Sequence, residues 1–188
     1  MALEQEKIVS NTKKYFETAA KYGFMNDELM KTLGEAFIKA PASSLKDLHN
    51  AFEGGLIDHS LKVTKYGVEI NKILPDNLKV ELPSLIKVCL LHQIGKYNLY
   101  TPCTSDWHIK NQGKMYEFND QLVSMRVGER SIQVATTNGV KFSDEEFQAI
   151  INYDKDDTDK QAKWHSVTLG IILKQANELA IMEEKKIG

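Results

Sequence analysis

The residues best suited to chemistry in this chain are two histidines set in different segments. His59 follows the flexible run Gly54-Gly55-Leu56-Ile57-Asp58, and His92 opens His92-Gln93-Ile94-Gly95-Lys96. If both motifs are helical, His92 and Lys96 are four apart and share a face, with Gln93 beside them. Two helices that each offer an imidazole can hold a transition metal between them, since the neutral ring is a common ligand for such ions. Two ligands are too few for a metal centre, however. Taken by spacing alone, each histidine reads more simply as a hydrogen-bonded residue at the edge of a core.

Weaker signals surround this pair. Cys89 and His92, three apart, place two soft ligands on one face, although a thiol inside an apolar run is ordinarily core. Cys103 and His108 lie in a polar stretch and would bind zinc only with partners the sequence does not name. Tyr97, Tyr100, Trp107, Tyr116 and Phe118 gather in one region, where they can stack on a base or pack that segment onto the core. The run DKDDTD at 154–159 resembles the start of a calcium loop, but Thr158 stands where the loop glycine belongs and no glutamate closes it.

Helical periodicity dominates the elements that must position these residues, and strand alternation is scarce. A first helix runs to about Tyr22 with Ile8, Tyr15, Phe16 and Ala19 at helical spacing, and Asn26 is placed to cap a second. Pro41 breaks the chain. SSLKDLHNAF reads as a short helix stopped at Gly54-Gly55, and a longer helix from Leu56 to Leu74 carries Leu56, His59, Val63, Tyr66 and Ile70 in one stripe. Pro83 opens PSLIKVCLLHQIGKYNLY, a helix apolar nearly all round and therefore buried. Aromatic and β-branched residues flank NQG between 105 and 118, the pattern of a small β-hairpin insert. Beyond it, LVSMRVGERSIQVATTNG reads as a helix closed by Asn138-Gly139, and Ser143 with Glu146 forms a capping-box pattern. A polar loop DKDDTDK then leads to a long final amphipathic helix, AKWHSVTLGIILKQANELAIMEEKK. The expectation is an all-α protein of about six or seven helices, with N-terminal helices in 1–44 packing on a unit that spans 45–188.

The combination HNAFEGGLIDHSLKV, then LLHQIGK some thirty residues later, closely resembles the HD-domain superfamily of metal-dependent phosphohydrolases. The likeness is strongest to the branch with H-x-A-Y-x-G-G-L-x-x-H-S followed by L-x-H-D-I-x-K. It continues through GKMYEFNDQLVSMRVGERSIQVATTNGVKFSDEEFQAIINYD, which is similar to the Gly-Glu-Arg/Lys-Ser stretch of small HD proteins of bacteria and tailed phages. LKQANELAIMEE resembles their closing helix. The likeness spans roughly Leu45 to Glu184, one domain's length.

Carried over by position, the resemblance makes His59 and His92 the first two metal ligands. It puts Gln93 where the aspartate of the family's name belongs and Asn177 where the final aspartate ligand is expected. Arg126 or Val127, and the residues 151–154, stand where many relatives supply further histidines. Lys96 matches a basic residue that contacts substrate phosphate. Anionic ligands are what retain a hard cation and let it acidify a bound water, and a neutral amide does neither as well. The resemblance therefore implies a catalytically degenerate HD domain without a catalytic metal, with His59 and His92 as vestigial ligands. Its cleft of His59, His92, Gln93, Lys96, Arg126, Arg130 and Asn177 either binds a nucleotide or other phosphorylated ligand, or merely hydrogen-bonds internally. A protein partner is the other binding role. The contrasting expectation is an active phosphohydrolase on nucleotides or oligonucleotides, working through His59, His92 and Lys96 with Mn, Fe, Ni or Zn. Asp58, Asp120 or Glu129 would then supply the missing carboxylate.

Composition narrows the setting. Apolar residues make up 42% and charged residues 27% of the chain, as in ordinary globular proteins. A net charge of -2 gives no general attraction to nucleic acid or acidic membrane. Two cysteines make no disulfide framework, and no apolar run reaches membrane-spanning length, so a cytoplasmic protein is expected.

Overall fold

A computed structural model describes residues 3–155 and 166–186. These residues form eight α-helices and a two-stranded antiparallel sheet: α1 (Gln5–Lys21), α2 (Asp27–Lys39), α3 (Gly55–Ile73), α4 (Leu82–Leu91), β1 (Tyr100–Pro102), α5 (Asp106–Gln112), β2 (Tyr116–Phe118), α6 (Val127–Thr137), α7 (Asp144–Asn152) and α8 (Thr168–Lys186). The all-α expectation with a small hairpin holds.

The core follows from the apolar stripes. α3 packs most extensively on α8 and α4, while α6 and α7 close the other side. Leu56, Val63, Leu85, Val88, Leu90, Leu91, Ile150, Leu173 and Ala176 share one buried cluster with Tyr15, Leu29, Leu33 and Phe37 from α1 and α2. The Tyr15 hydroxyl donates to the Leu90 carbonyl at 2.8 Å, so a buried phenol oxygen is satisfied and ties α1 to α4.

Local chemistry sets the helix ends. The Asn26 side chain accepts from the Leu29 backbone N–H at 2.8 Å, and Ser143 and Glu146 make both bonds of the expected capping box. Gly54 has φ of 78°, and a Cβ on Gly55 would stand 2.2 Å from the Asn50 carbonyl oxygen, so the Gly-Gly pair is what lets α3 start against the preceding turn.

Four elements differ from expectation. SSLKDLHNAF is not helical: Ser44 and Leu45 pair with the 113–116 strand edge, and the Asn50 carbonyl accepts from the Ala42 N–H at 3.0 Å, so the backbone bonds outward instead of coiling. α4 stops at Leu91, and Ile94–Lys96 form a separate 3-10 turn. The expected hairpin exists, but its strands lie at 100–102 and 116–118, and 106–112 between them is helical. Ser105 caps that helix by accepting from the His108 N–H, and Gly113, at φ of 62°, closes it. α6 begins at Val127, five residues later than the periodicity suggested. Most of the DKDDTDK loop and the start of the final helix, residues 156–165, lie outside the described residues.

Candidate functional site

The two histidine motifs meet at the centre of the bundle. His59 lies in the first turns of α3 and His92 caps the C-terminus of α4; both are fully buried, with their rings 5.8 Å apart. The break after Leu91 has a consequence for Lys96. It returns on the 3-10 turn, not on α4's face, and its ammonium donates to Gln93 Oε1 at 2.7 Å and to the Ala42 carbonyl at 2.6 Å. Gly95 makes this turn feasible. A Cβ there would stand 2.7 Å from the Ser131 nitrogen, and the Gly95 N–H donates to Ser131 Oγ at 3.0 Å, clamping the turn on α6.

Hydrogen-bond accounting fixes the proton positions. Lys96 has only donors, so Gln93 must turn its oxygen to it and its amide nitrogen towards Asn177 Oδ1, 3.4 Å away. Asn177 thereby faces His59 Nε2 with its oxygen at 3.0 Å, which requires a proton on Nε2. His59 Nδ1 stands 2.9 Å from Glu184 Oε2. A proton must lie between those two atoms, and burial decides its place: it pushes Glu184 up to about 8 and His59 down to about 3, Lys96 adding to the latter. The pair is therefore neutral, with the carboxyl donating to the imidazole.

Behind Glu184 the network continues. Asn50 Nδ2 bridges Glu184 Oε1 at 2.9 Å and Asp58 Oδ2 at 3.0 Å, Asn11 donates to Asp58 Oδ1 at 2.9 Å, and Lys62 lies 3.0 Å from Asp58. Tyr153 of the residues 151–154 packs edge-on against the His92 ring at 4.9 Å.

Among the described residues, two imidazole nitrogens of the centre have no hydrogen-bond partner. His92 Nδ1 donates to the Cys89 carbonyl at 2.8 Å, and burial holds the ring neutral at about 3, so Nε2 carries a lone pair with no hydrogen-bond partner among the described residues. His49 Nε2 is likewise buried and unpartnered, its ring 4.8 Å from that of His59. His49 Nε2 or Nδ1, a His59 nitrogen and a Glu184 oxygen all lie within 4.8 Å of one another, a set of atoms that can in principle hold a metal ion.

Lys96 opposes a cation at the positions the resemblance designates. Burial pushes it down to about 8, against the charge of Asp154, so the ammonium is the form held below that value. An ion among His59, His92, Gln93 and Asn177 would meet that charge and two neutral amides, so these residues do not fit the family's hydrolytic metal.

Of the expected cleft residues, His59, His92, Gln93, Lys96 and Asn177 come together. Arg126 does not: it is exposed in front of α6, where its N–H is capped by Glu129 at 3.2 Å. Arg130 packs its backbone beside Gly95, but its guanidinium donates to the Val123 carbonyl. Of the candidate carboxylates, Asp120 is exposed, Glu129 serves as that cap, and Asp58 lies one shell back. Glu184 was missed by sequence reasoning although a signal existed. It follows Asn177 by seven residues, two helical turns, and so shares its face. His49 stood unremarked within the HNAF motif. A cavity of about 340 Å³ lies elsewhere, lined by Tyr22, Pro83, Lys87 and Glu146 among others, and none of the residues above lines it. Among the described residues no helix is long and apolar enough to cross a membrane. No family model, curated protein or solved structure matches this chain.

Proposed function

We propose that this chain is a catalytically degenerate HD domain, one that binds without hydrolysing and whose ligand is a nucleotide or other phosphorylated small molecule. The observation that carries the reading is the buried Lys96 ammonium, 2.7 Å from Gln93 Oε1, within a cluster of neutral imidazoles and amides. A fixed cation there repels a metal and favours an anion. Two of its three N–H groups are engaged, leaving one for a phosphate oxygen. His92 Nε2 becomes a second donor once an anion raises the ring's proton affinity. One of the engaged Lys96 N–H groups is held by the Ala42 carbonyl.

Calorimetry with a nucleotide panel is the test. The full chain binds at least one nucleotide, binding takes up a proton and tightens as pH falls, Lys96→Met weakens it at least tenfold, and no phosphate is released. If no nucleotide binds while the fold is intact, the small-molecule reading fails and a protein partner takes its place. Phosphate release that His92→Ala abolishes would favour the second reading, an active phosphohydrolase. That reading draws on the convergence of His49, His59 and Glu184 and on the lone pair of His92. Mn, Fe, Ni or Zn would be its ion.

A further inference from the structure

The 100–118 segment carries its own set of metal-ligand atoms, unrelated to the histidine centre. Cys103 follows β1, His108 lies in α5 and Glu117 in β2, so the hairpin register and the short helix bring three ligand types from three elements to one point. Cys103 Sγ stands 3.4 Å from Glu117 Oε1, His108 Nδ1 stands 3.8 Å from the same oxygen, and all three ligand atoms lie within 4.8 Å of one another. Zinc with Zn–S near 2.3 Å and Zn–N or Zn–O near 2.0–2.1 Å requires ligand atoms about 3.3–3.6 Å apart at the corners of a tetrahedron. Two of the edges are thus close to those dimensions before any ion draws them in. Among the described residues His108 Nδ1 is shielded from solvent and has no hydrogen-bond partner, although its side chain is 39% exposed.

A second observation points the same way. Between Tyr100 and Phe118 only Cys103 is buried; α5 buries nothing, and the strands are three residues long. The segment is held to the body by backbone bonds to Ser44 and Lys46 and has no apolar core of its own. Segments this small ordinarily need a staple.

We infer that Cys103, His108 and Glu117 form a zinc site that ties the β1–α5–β2 insert together, with water as the fourth ligand. On binding, the Cys103 thiol loses its proton to solvent and the thiolate takes the metal in place of its hydrogen bond to Glu117. The Lys114 ammonium, 3.3 Å from Glu117 Oε1, balances that carboxylate in the metal-free protein and must swing outward. The other cysteine, Cys89, is buried in the core and cannot substitute.

The test uses the full chain, reduced, stripped of metal and titrated with Co(II), then Zn(II). One Co(II) per chain is expected, with a thiolate-to-metal charge-transfer band and tetrahedral d–d bands that Zn(II) erases. Zinc also shields Cys103 from a thiol reagent and slows amide exchange in 100–118. Cys103→Ser removes the charge-transfer band; His108→Gln and Glu117→Gln each weaken binding at least tenfold; Lys114→Ala strengthens it several-fold, and far-ultraviolet circular dichroism stays unchanged throughout. Absence of the band in the wild type overturns the inference. So does a band that survives both His108→Gln and Glu117→Gln, or binding that His59→Gln removes and Cys103→Ser does not.

Discussion

The histidine centre and the 100–118 insert contain similar residue types in different solvation. At the centre, His59 is fully buried and both of its nitrogens are engaged, by Asn177 and Glu184. In the insert, His108 is partly exposed and its Nδ1 has no hydrogen-bond partner among the described residues. Burial makes each central polar group structural: it must be neutral, or matched, or it destabilises the fold. In the insert the side chains of His108 and Glu117 are partly exposed, so they can leave their present contacts for a ligand at little cost. Residue type alone does not separate these roles; the solvation around it does.

The largest effect expected from this contrast is on stability. His59→Ala leaves Glu184 and Asn177 buried without their shared partner and should cost ~3–5 kcal/mol, whereas His108→Ala in the metal-free protein should stay within about 0.5 kcal/mol. Urea unfolding of both variants measures the difference, and equal costs would break the comparison.

The next effect is on pH dependence. His49, His59 and His92 are all held neutral by burial, with folded values well below that of the unfolded chain. The unfolded state therefore binds more protons below pH 6.5, and stability should fall as pH drops from there towards about 3, by several kcal/mol in total. Glu184 has the opposite sign. Its folded value near 8 means the native state holds the extra proton, so its contribution declines as pH rises from the unfolded range to about 8. Where the two ranges overlap, between about 4.5 and 6.5, the Glu184 contribution partly offsets that of the histidines. Thermal melts from pH 4 to 9 should show a maximum near neutrality; a flat profile would mean that the central groups are solvated.

A smaller effect isolates one proton. Glu184→Gln keeps a donor towards His59 Nδ1 and cannot ionise. It should be within ~1 kcal/mol of wild type at pH 7 and more stable than wild type above pH 8. Were the pair instead an imidazolium–carboxylate, the same variant would be markedly destabilised at pH 7.

Much of the centre was legible because helical spacing and motif order are local properties. Leu56, His59 and Val63 on one stripe, the Asn26 cap, the Ser143–Glu146 box and the meeting of His92, Gln93, Lys96 and Asn177 all follow from short-range pattern plus a resemblance. What escaped depended on long-range closure. The end of α4 at Leu91 is imposed by the clamp of Gly95 on Ser131, 36 residues away. SSLKDLHNAF has helical spacing, but its backbone is claimed by the 113–116 edge. Glu184 was not singled out within the final amphipathic helix because nothing nearby shows that α8 turns that face to α3. Arg126 and Arg130 had the right charge, but Arg126 is exposed ahead of α6 and the Arg130 guanidinium is taken up by the Val123 carbonyl. Cys103 and His108 lacked a third ligand until the strand register brought Glu117 across.

We propose that Lys96 and the amides of Gln93 and Asn177 keep an ion from the histidine centre. Metal analysis of the full chain purified without chelator tests it most directly, run in the Cys103→Ser background to silence the insert and compared with Gln93→Asp/Asn177→Asp. Well under one equivalent of Mn, Fe, Ni and Zn is expected in the parent, with a rise on introducing the two carboxylates. A full equivalent in the parent, lost on His92→Ala, would contradict it.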